Sequence, residues 1–192
     1  DTECVSCGHC VTACPSGALD YKRESDKVFQ ALNDPNKIVI GFVAPAVRSV
    51  VAAKFNLEFN KAMPILAGIL KSKKLGFNKV FDFCFSADLT ICEETTEFVR
   101  RLEKGADLPH LTSCCPGWVN FVEQSYPELI PHLSTCKSPQ QMMGSVMKSH
   151  FIEWAKLKER KKDVFVVSIV PCIAKKYEAE RPEFVNDGQR DV

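Results

Sequence analysis

The sequence predicts an α/β fold, a parallel sheet with flanking helices, preceded by a small cysteine-rich module. Three observations predict it. Short β-rich apolar runs alternate with stretches of helical spacing, the pattern of βαβ units. The first 20 residues hold four cysteines and two glycines and show neither a helical nor a strand period. The length, 192 residues, suffices for one good-sized core with a small module appended. The division expected is residues 1–35 for the module and 36–192 for the α/β part.

Taken in order, the opening stretch reads as a loop folded around something other than an apolar core. A polar helix is expected from Tyr21 to Leu32, closed by the turn residues NDPNK. KIVIGFVAP is a buried-strand candidate, and helical patterns follow at Val47–Phe55 and Lys61–Leu75. KVFDF is a second short strand. Ala87 to Lys104 reads as an amphipathic helix, with Leu89, Glu93, Phe98 and Leu102 near helical spacing. HLTS is a third short strand running into CCPGW, where Pro116 suits the first turn of another helix. Ser138 to Lys158 is a long helix opened by Ser-Pro, and DVFVVSIVPC is the clearest strand. TSCCP and SIVPC each put a cysteine at the C-terminal end of an expected strand. Open α/β sheets bind ligands at that edge, so two cysteine loops are expected to converge on one site.

Composition narrows the function. The chain is 45% hydrophobic and 26% charged with a net charge of +1, which gives no support for a nucleic-acid or membrane-surface partner. The apolar run from Phe165 is interrupted by Ser168 and Pro171 and is too short to span a bilayer. DTECVSCGHC has neither a basic start nor an apolar segment, so no secretory signal is read; a cytoplasmic or organellar protein is expected. Ten cysteines in such a chain, clustered at ligand spacing, point to metal rather than to disulfides.

CVSCGHCVTACP places Cys4, Cys7, Cys10 and Cys14 before Pro15. This is C-x2-C-x2-C-x3-C-P, the bacterial ferredoxin run; zinc sites favour pairs separated by a longer gap. In two-cluster ferredoxins the fourth cysteine serves the other cluster. Cys4, Cys7 and Cys10 would then hold one [4Fe–4S] cluster, completed from a partner motif, and Cys14 would serve that partner's. The partner motif is not in the sequence, and the chain reads as cut at its N-terminus.

Two later motifs carry a family resemblance. LTSCCPGWVNFVEQSYPELIPHLSTCKSPQQMMG resembles the first signature of the [FeFe]-hydrogenases, and SIVPCIAKKYEAERPEF resembles the second. The ferredoxin run before them and VFDFCFSADLTICEETTEF between them match the same family in order, so the resemblance covers essentially the whole chain. The third signature, with two further cysteines, is absent. The chain is therefore similar to a middle portion of a hydrogenase, the ferredoxin-like module followed by part of the catalytic domain.

The resemblance implies reversible reduction of protons to H2, with electrons from ferredoxin or another low-potential carrier and with maturation proteins as further partners. It implies [4Fe–4S] clusters and the H-cluster, a cubane joined to a two-iron subsite with CO, cyanide and a bridging dithiolate amine. Cys115 and Cys172 resemble two of the four cubane ligands. Cys114 resembles the proton-relay thiol, so the adjacent cysteines have different jobs. An ordinary thiol exchanges protons near neutrality, whereas a metal holds its thiolate deprotonated. Glu94, Glu97 and Arg101 share one helix face by spacing and resemble the outer proton path, with Ser134 between the two glutamates. From spacing alone they make a solvated acidic face. Lys175 resembles the lysine that donates to a cyanide ligand, Pro45 a residue walling the other cyanide, and Ser138 and Gln140 pocket residues near the two-iron subsite. Ser138 also suits a plain N-cap before Pro139.

Val170 departs from the family, which commonly has Met there. Cys84, Cys92 and Cys136 match no family ligand and are expected to be core or near-surface thiols; the four histidines show no paired metal spacing. Two other functions stay open within the resemblance: a non-catalytic relative acting in cluster assembly, and an H2 sensor. Cys114, Lys175 and the Glu94–Glu97 pair favour the enzyme.

Overall fold

A computed structural model describes residues 4–156, 163–186 and 188–192. The α/β expectation holds. The main sheet has three parallel strands in the order β2–β1–β3: β1 (Ile38–Val43), β2 (Lys79–Asp82) and β3 (Val164–Ile169). The central strand pairs Ile40 with Lys79 on one side and Ile38 with Val164 on the other. It is buried from Val39 to Val43, which explains its unbroken apolar run: a strand covered on both faces has no polar side to show.

Nine α-helical segments are present among the described residues: α1 (His9–Ala13), α2 (Ser25–Asn33), α3 (Pro45–Lys54), α4 (Phe59–Leu70), α5 (Cys84–Lys104), α6 (Pro116–Ser125), α7 (Pro139–Val146), α8 (Ile152–Trp154) and α9 (Ala174–Glu180). Two-residue strands β4 (Val185–Asn186) and β5 (Gln189–Arg190) pair antiparallel near the C-terminus. None of the described helices is long and apolar enough to cross a membrane.

The chain forms two compact units. Asp1–Tyr21, Ser86–Met142 and Cys172–Phe184 make one; Lys22–Phe85, Met143–Pro171 and Val185–Val192 make the other. The second holds the sheet. Its core packs Ile40, Phe42, Phe83, Met143, Phe151 and Val166 together, with a further cluster of Ala31, Val39, Phe77 and Val167. Each large apolar side chain buried there contributes roughly 1.5–3 kcal/mol. Phe42 and Phe83 stack tilted at 5.2 Å. Gly41 is required by that packing, because a Cβ there would lie 2.9 Å from the Phe77 ring. Val170 packs against the same core.

Three expectations are corrected. HLTS forms no strand of the sheet; Leu111 makes only an isolated parallel bridge to Leu133. Four residues with two prolines nearby and no second partner cannot build a ladder. The polar helix begins at Ser25 rather than Tyr21. The helix opened by Ser138-Pro139 changes to a π-helical stretch at Met147–Phe151 before its last turn at Ile152–Trp154; Leu157 and Lys158 of that expected helix lie outside the described residues.

Candidate active site

The first unit carries every sequence-predicted cysteine ligand. Cys115 sits at the N-cap position of α6 in extended conformation, with Pro116 as the first helical residue. Its carbonyl accepts the first helical bond from Val119 N–H at 3.0 Å. Proline fits there because the first helical N–H has no partner within the helix. Cys172 precedes α9, its carbonyl accepting from Lys175 N–H at 3.3 Å. The two helices pack against one another: Arg181 donates two bonds to the Glu123 carboxylate at 2.6 and 2.9 Å, and Tyr177 Oη contacts Asn120 Oδ1 at 3.5 Å. Both cysteines are exposed free thiols at the starts of packed helices. The helices that follow the two cysteine loops pack together, and β3 ends shortly before Cys172 whereas no strand leads into Cys114.

The ferredoxin-type loop lies against this helix pair. A Cβ on Gly117 would stand 3.5 Å from Cys7 Cβ, and a Cβ on Gly8 would meet Ile173 Cδ1 at 2.6 Å. Gly8 has φ +75°, a left-handed conformation that glycine adopts without steric cost. The Cys4 carbonyl accepts from Asn120 Nδ2 at 3.4 Å and Gln124 Nε2 at 3.3 Å. Cys7 and Gly8 therefore abut residues that adjoin Cys115 and Cys172. Cys14 has its thiol lowered to about 7, chiefly by the Ser16 hydroxyl and then by backbone amides.

Helix α5 carries the acidic residues. Glu97 accepts from Ser134 Oγ at 2.7 Å, from Thr135 N–H at 3.0 Å and from Arg101 Nη2 at 2.6 Å. Burial alone would raise this carboxyl; the Ser134 hydroxyl, the Thr135 amide and the Arg101 guanidinium overcome it and bring it down to about 2. Arg101 also donates to the carbonyls of Pro131 at 3.0 Å and Leu133 at 2.7 Å, which fixes the segment bearing Ser134. Glu94, half-buried, stands one turn earlier on the same helix. Ser134 is thus joined to one of the two glutamates, Glu97.

Cys136, read from sequence as a core or near-surface thiol, stands beside these residues. Its Sγ lies 3.6 Å from Glu97 Oε2 and its N–H donates to Ser134 Oγ at 3.2 Å. Burial raises the thiol; the Ser134 hydroxyl pulls the other way, and the charges of Glu97 and Glu94 add to the rise. No spacing rule pointed to it, because the contact spans 39 residues.

Lys175, Ser138 and Gln140 are brought together by a residue that sequence reasoning missed. Glu178 is 4% exposed. It accepts from Lys175 Nζ at 2.9 Å, from Ser138 Oγ at 2.8 Å and from Gln140 Nε2 at 3.2 Å. Lys175 Nζ donates in addition to the Cys114 carbonyl at 2.7 Å. The i, i+3 spacing of Lys175 and Glu178 was the available signal. A cavity of about 180 Å³ opens between Ser134, Cys136, Ser138 and Glu178. Pro45 is the first residue of α3, in the other unit.

The family of the iron only hydrogenase large subunit, C-terminal domain, matches residues 37–192, and a 4Fe–4S binding domain matches residues 1–20. The chain belongs to the iron-only hydrogenase family. It is 44% identical to the NADP-reducing hydrogenase subunit HndD of Solidesulfovibrio fructosivorans, across 100% of this chain and 33% of that protein. It is 36% identical to the cytosolic iron-sulfur assembly component 3 of Bos taurus, across 99% of this chain and 42% of that protein. Among solved structures, a variant apo [FeFe]-hydrogenase from Chlamydomonas reinhardtii matches with a TM-score of 0.75 at 39% identity, covering 88% of this chain and 43% of that one. The chain spans between a third and a half of the length of these relatives.

The residues fit an iron–sulfur family. Among the described residues no three His, Cys, Asp or Glu side chains form a preassembled cage. The donor set is nonetheless thiol, the ligand that iron–sulfur clusters take. Cys115 and Cys172 would supply two of the four thiolates a cubane requires, and the helix N-terminus at Cys115 favours a bound anionic group.

Proposed function

We propose that the chain is part of an [FeFe]-hydrogenase that reduces protons to H2 reversibly, with electrons entering through the ferredoxin-type motif. The observation that carries this reading is the packing of Cys7 and Gly8 on Gly117 and Ile173, which sets the electron-side loop directly beside the residues flanking Cys115 and Cys172. Cys4, Cys7 and Cys10 hold a [4Fe–4S] cluster in this proposal, and Cys14 serves a partner motif. Cys115 and Cys172 hold the H-cluster, which when bound supplies the redox chemistry that joins two electrons with two protons. Ferredoxin or a similar low-potential carrier is the electron partner, and maturation proteins load the site.

The chain's own residues move the protons. Arg101, Glu97, Ser134 and Glu94 lead toward Cys114, whose thiol gives and takes the proton nearest the chemistry. Glu97 rests as an anion and carries a proton only transiently. Protonating a carboxyl of about 2 at neutral pH costs roughly 7 kcal/mol, which still allows on the order of 10⁷ transfers per second. Its firm hydrogen bonding is therefore compatible with a relay. In this reading Lys175, Ser138 and Gln140 attend the two-iron subsite; the ammonium of Lys175 suits an anionic ligand.

The second reading is cluster assembly without hydrogen chemistry, supported by the 36% identity to an assembly component over 99% of this chain. Cys114 and Glu97 with its Ser134 bond have no task in that reading. The deciding experiment matures the protein anaerobically and measures H2 evolution from a reduced low-potential dye. Hydrogen production supports the enzyme. Clusters bound after verified maturation with no H2 would transfer the reading to assembly or sensing.

A further inference from the structure

We infer that Glu178 is a positioning residue: a buried anion that holds the ammonium of Lys175 in place and sets the orientation of Ser138 and Gln140 at the same time. The inference rests on the proposed pocket roles of those three residues. The geometry itself does not depend on them.

Glu178 lies on α9, one turn after Lys175, so its carboxylate reaches the ammonium along the same helix face. Nζ is 2.9 Å from Oε1 and 3.1 Å from Oε2. Oε2 also accepts the Ser138 hydroxyl at 2.8 Å and the Gln140 amide at 3.2 Å. Gln140 is tied a second time, its amide donating to the Lys175 carbonyl at 2.9 Å. All members are sheltered: Ser138 is 3%, Gln140 1% and Glu178 4% exposed. A carboxylate so buried is costly unless its lone pairs are occupied, and here four donor contacts occupy them. The third Lys175 donor reaches the Cys114 carbonyl at 2.7 Å. One anion thereby fixes a lysine, a hydroxyl and an amide drawn from two helices, and through the lysine it braces the backbone of Cys114.

A charge suits this position because all three side chains, as oriented here, present hydrogens to it. Lys175 has only donors, and the Ser138 hydroxyl and Gln140 amide both present hydrogens to the same oxygen. Glu178→Gln keeps the shape and offers one acceptor where two are used, with an N–H₂ facing an ammonium. Glu178→Asp keeps the charge on a shorter arm.

The test has two readouts on two preparations. In the cluster-free chain, lysines are reductively methylated with formaldehyde and cyanoborohydride and quantified by mass spectrometry. Lys175, with a side chain 11% exposed, is expected to label at least tenfold more slowly than Lys61, at 65%. Glu178→Gln is expected to bring Lys175 within about threefold of Lys61 while the other lysines keep their rates, and Glu178→Asp to restore most of the protection. In the anaerobically matured protein, Glu178→Gln is expected to shift the infrared bands of bound cyanide, with no additional shift when combined with Lys175→Met. Unchanged Lys175 labelling, or a uniform rise at all lysines, overturns the inference. Bands that shift equally in the presence and absence of Lys175 also overturn it, since Glu178 would then act without the lysine. If the matured wild type shows no cyanide bands, the hydrogenase reading fails; the labelling result still decides whether Glu178 holds Lys175.

Discussion

Glu97 shows how one carboxylate is committed by its neighbours. It lies on a helix face that spacing alone would leave to solvent, yet it accepts from a hydroxyl, an amide and a guanidinium. Its folded value, about 2, lies below the ordinary 4.5. A depressed carboxyl contributes stability that is fully present above 4.5 and is lost as pH falls through 2. The contribution is about 3 kcal/mol. Urea unfolding followed from pH 6 down to pH 2 is expected to show that loss in the wild type and a markedly flatter profile in Glu97→Gln. Parallel profiles would mean that Glu97 is not held as the geometry describes. The residue scale is also where sequence reading stopped short. The Glu97–Arg101 pair follows from i, i+4 spacing, whereas the Ser134 contact spans 37 residues and came from the motif resemblance alone. The surroundings of Cys136 were not readable because neither spacing nor composition reports what a side chain meets across the fold, whereas for Glu178 the i, i+3 spacing from Lys175 was readable but its bonds to Ser138 and Gln140 were not.

At the scale of elements, two glycines mark close approaches. Gly8 combines a positive φ with a missing side chain that would enter Ile173. Gly8→Ala is expected to loosen the ferredoxin-type loop and lower the iron retained per chain after anaerobic reconstitution. Ile173→Ala in the same chain is expected to recover part of it, because the Cδ1 and Cγ2 contacts are then removed while the 2.9 Å approach to Cβ and the backbone strain stay. Equal iron in all three proteins would show that the loop does not depend on that contact. In the sheet, Gly41→Ala pushes a methyl group toward the buried Phe77 ring. Overpacking of this kind costs about 1–3 kcal/mol, read as a lower urea midpoint; an unchanged midpoint would contradict the tight packing of β1 on Phe77. Strands β1 and β3 were legible as short apolar runs between turn residues, and the half-buried β2 as a short β-rich run. HLTS misled because its apolar and β-branched residues meet no neighbouring strand, only the single partner Leu133. The π-helical stretch at Met147–Phe151 was not legible, since its residues have ordinary helical character and tertiary packing sets the register.

For the whole molecule, the sequence-order division at residue 35 is one description and the contacts are another. The cysteine-rich start, helix α6 and helix α9 belong to one unit, so residues far apart in the chain become neighbours there. The class of fold and the cysteine pattern were readable because alternation and spacing are local properties. Which segments share a unit was not, because that depends on long-range pairs such as Arg181 with Glu123 and Asn120 with Cys4. The cysteines proposed for electron entry, for the cluster and for proton carriage all lie in this unit, and the adjacent pair is proposed to divide the work. In the proposed reading Cys115 holds iron and Cys114 moves protons. The most direct measurement compares matured wild type with Cys114→Ser for H2 evolution and for iron per chain, side by side. The account predicts that the serine variant keeps its iron and loses H2 evolution at least a hundredfold, because a serine hydroxyl is a far poorer proton donor and acceptor near neutrality. A variant that evolves H2 at the wild-type rate, or that loses its iron along with its activity, would contradict the division.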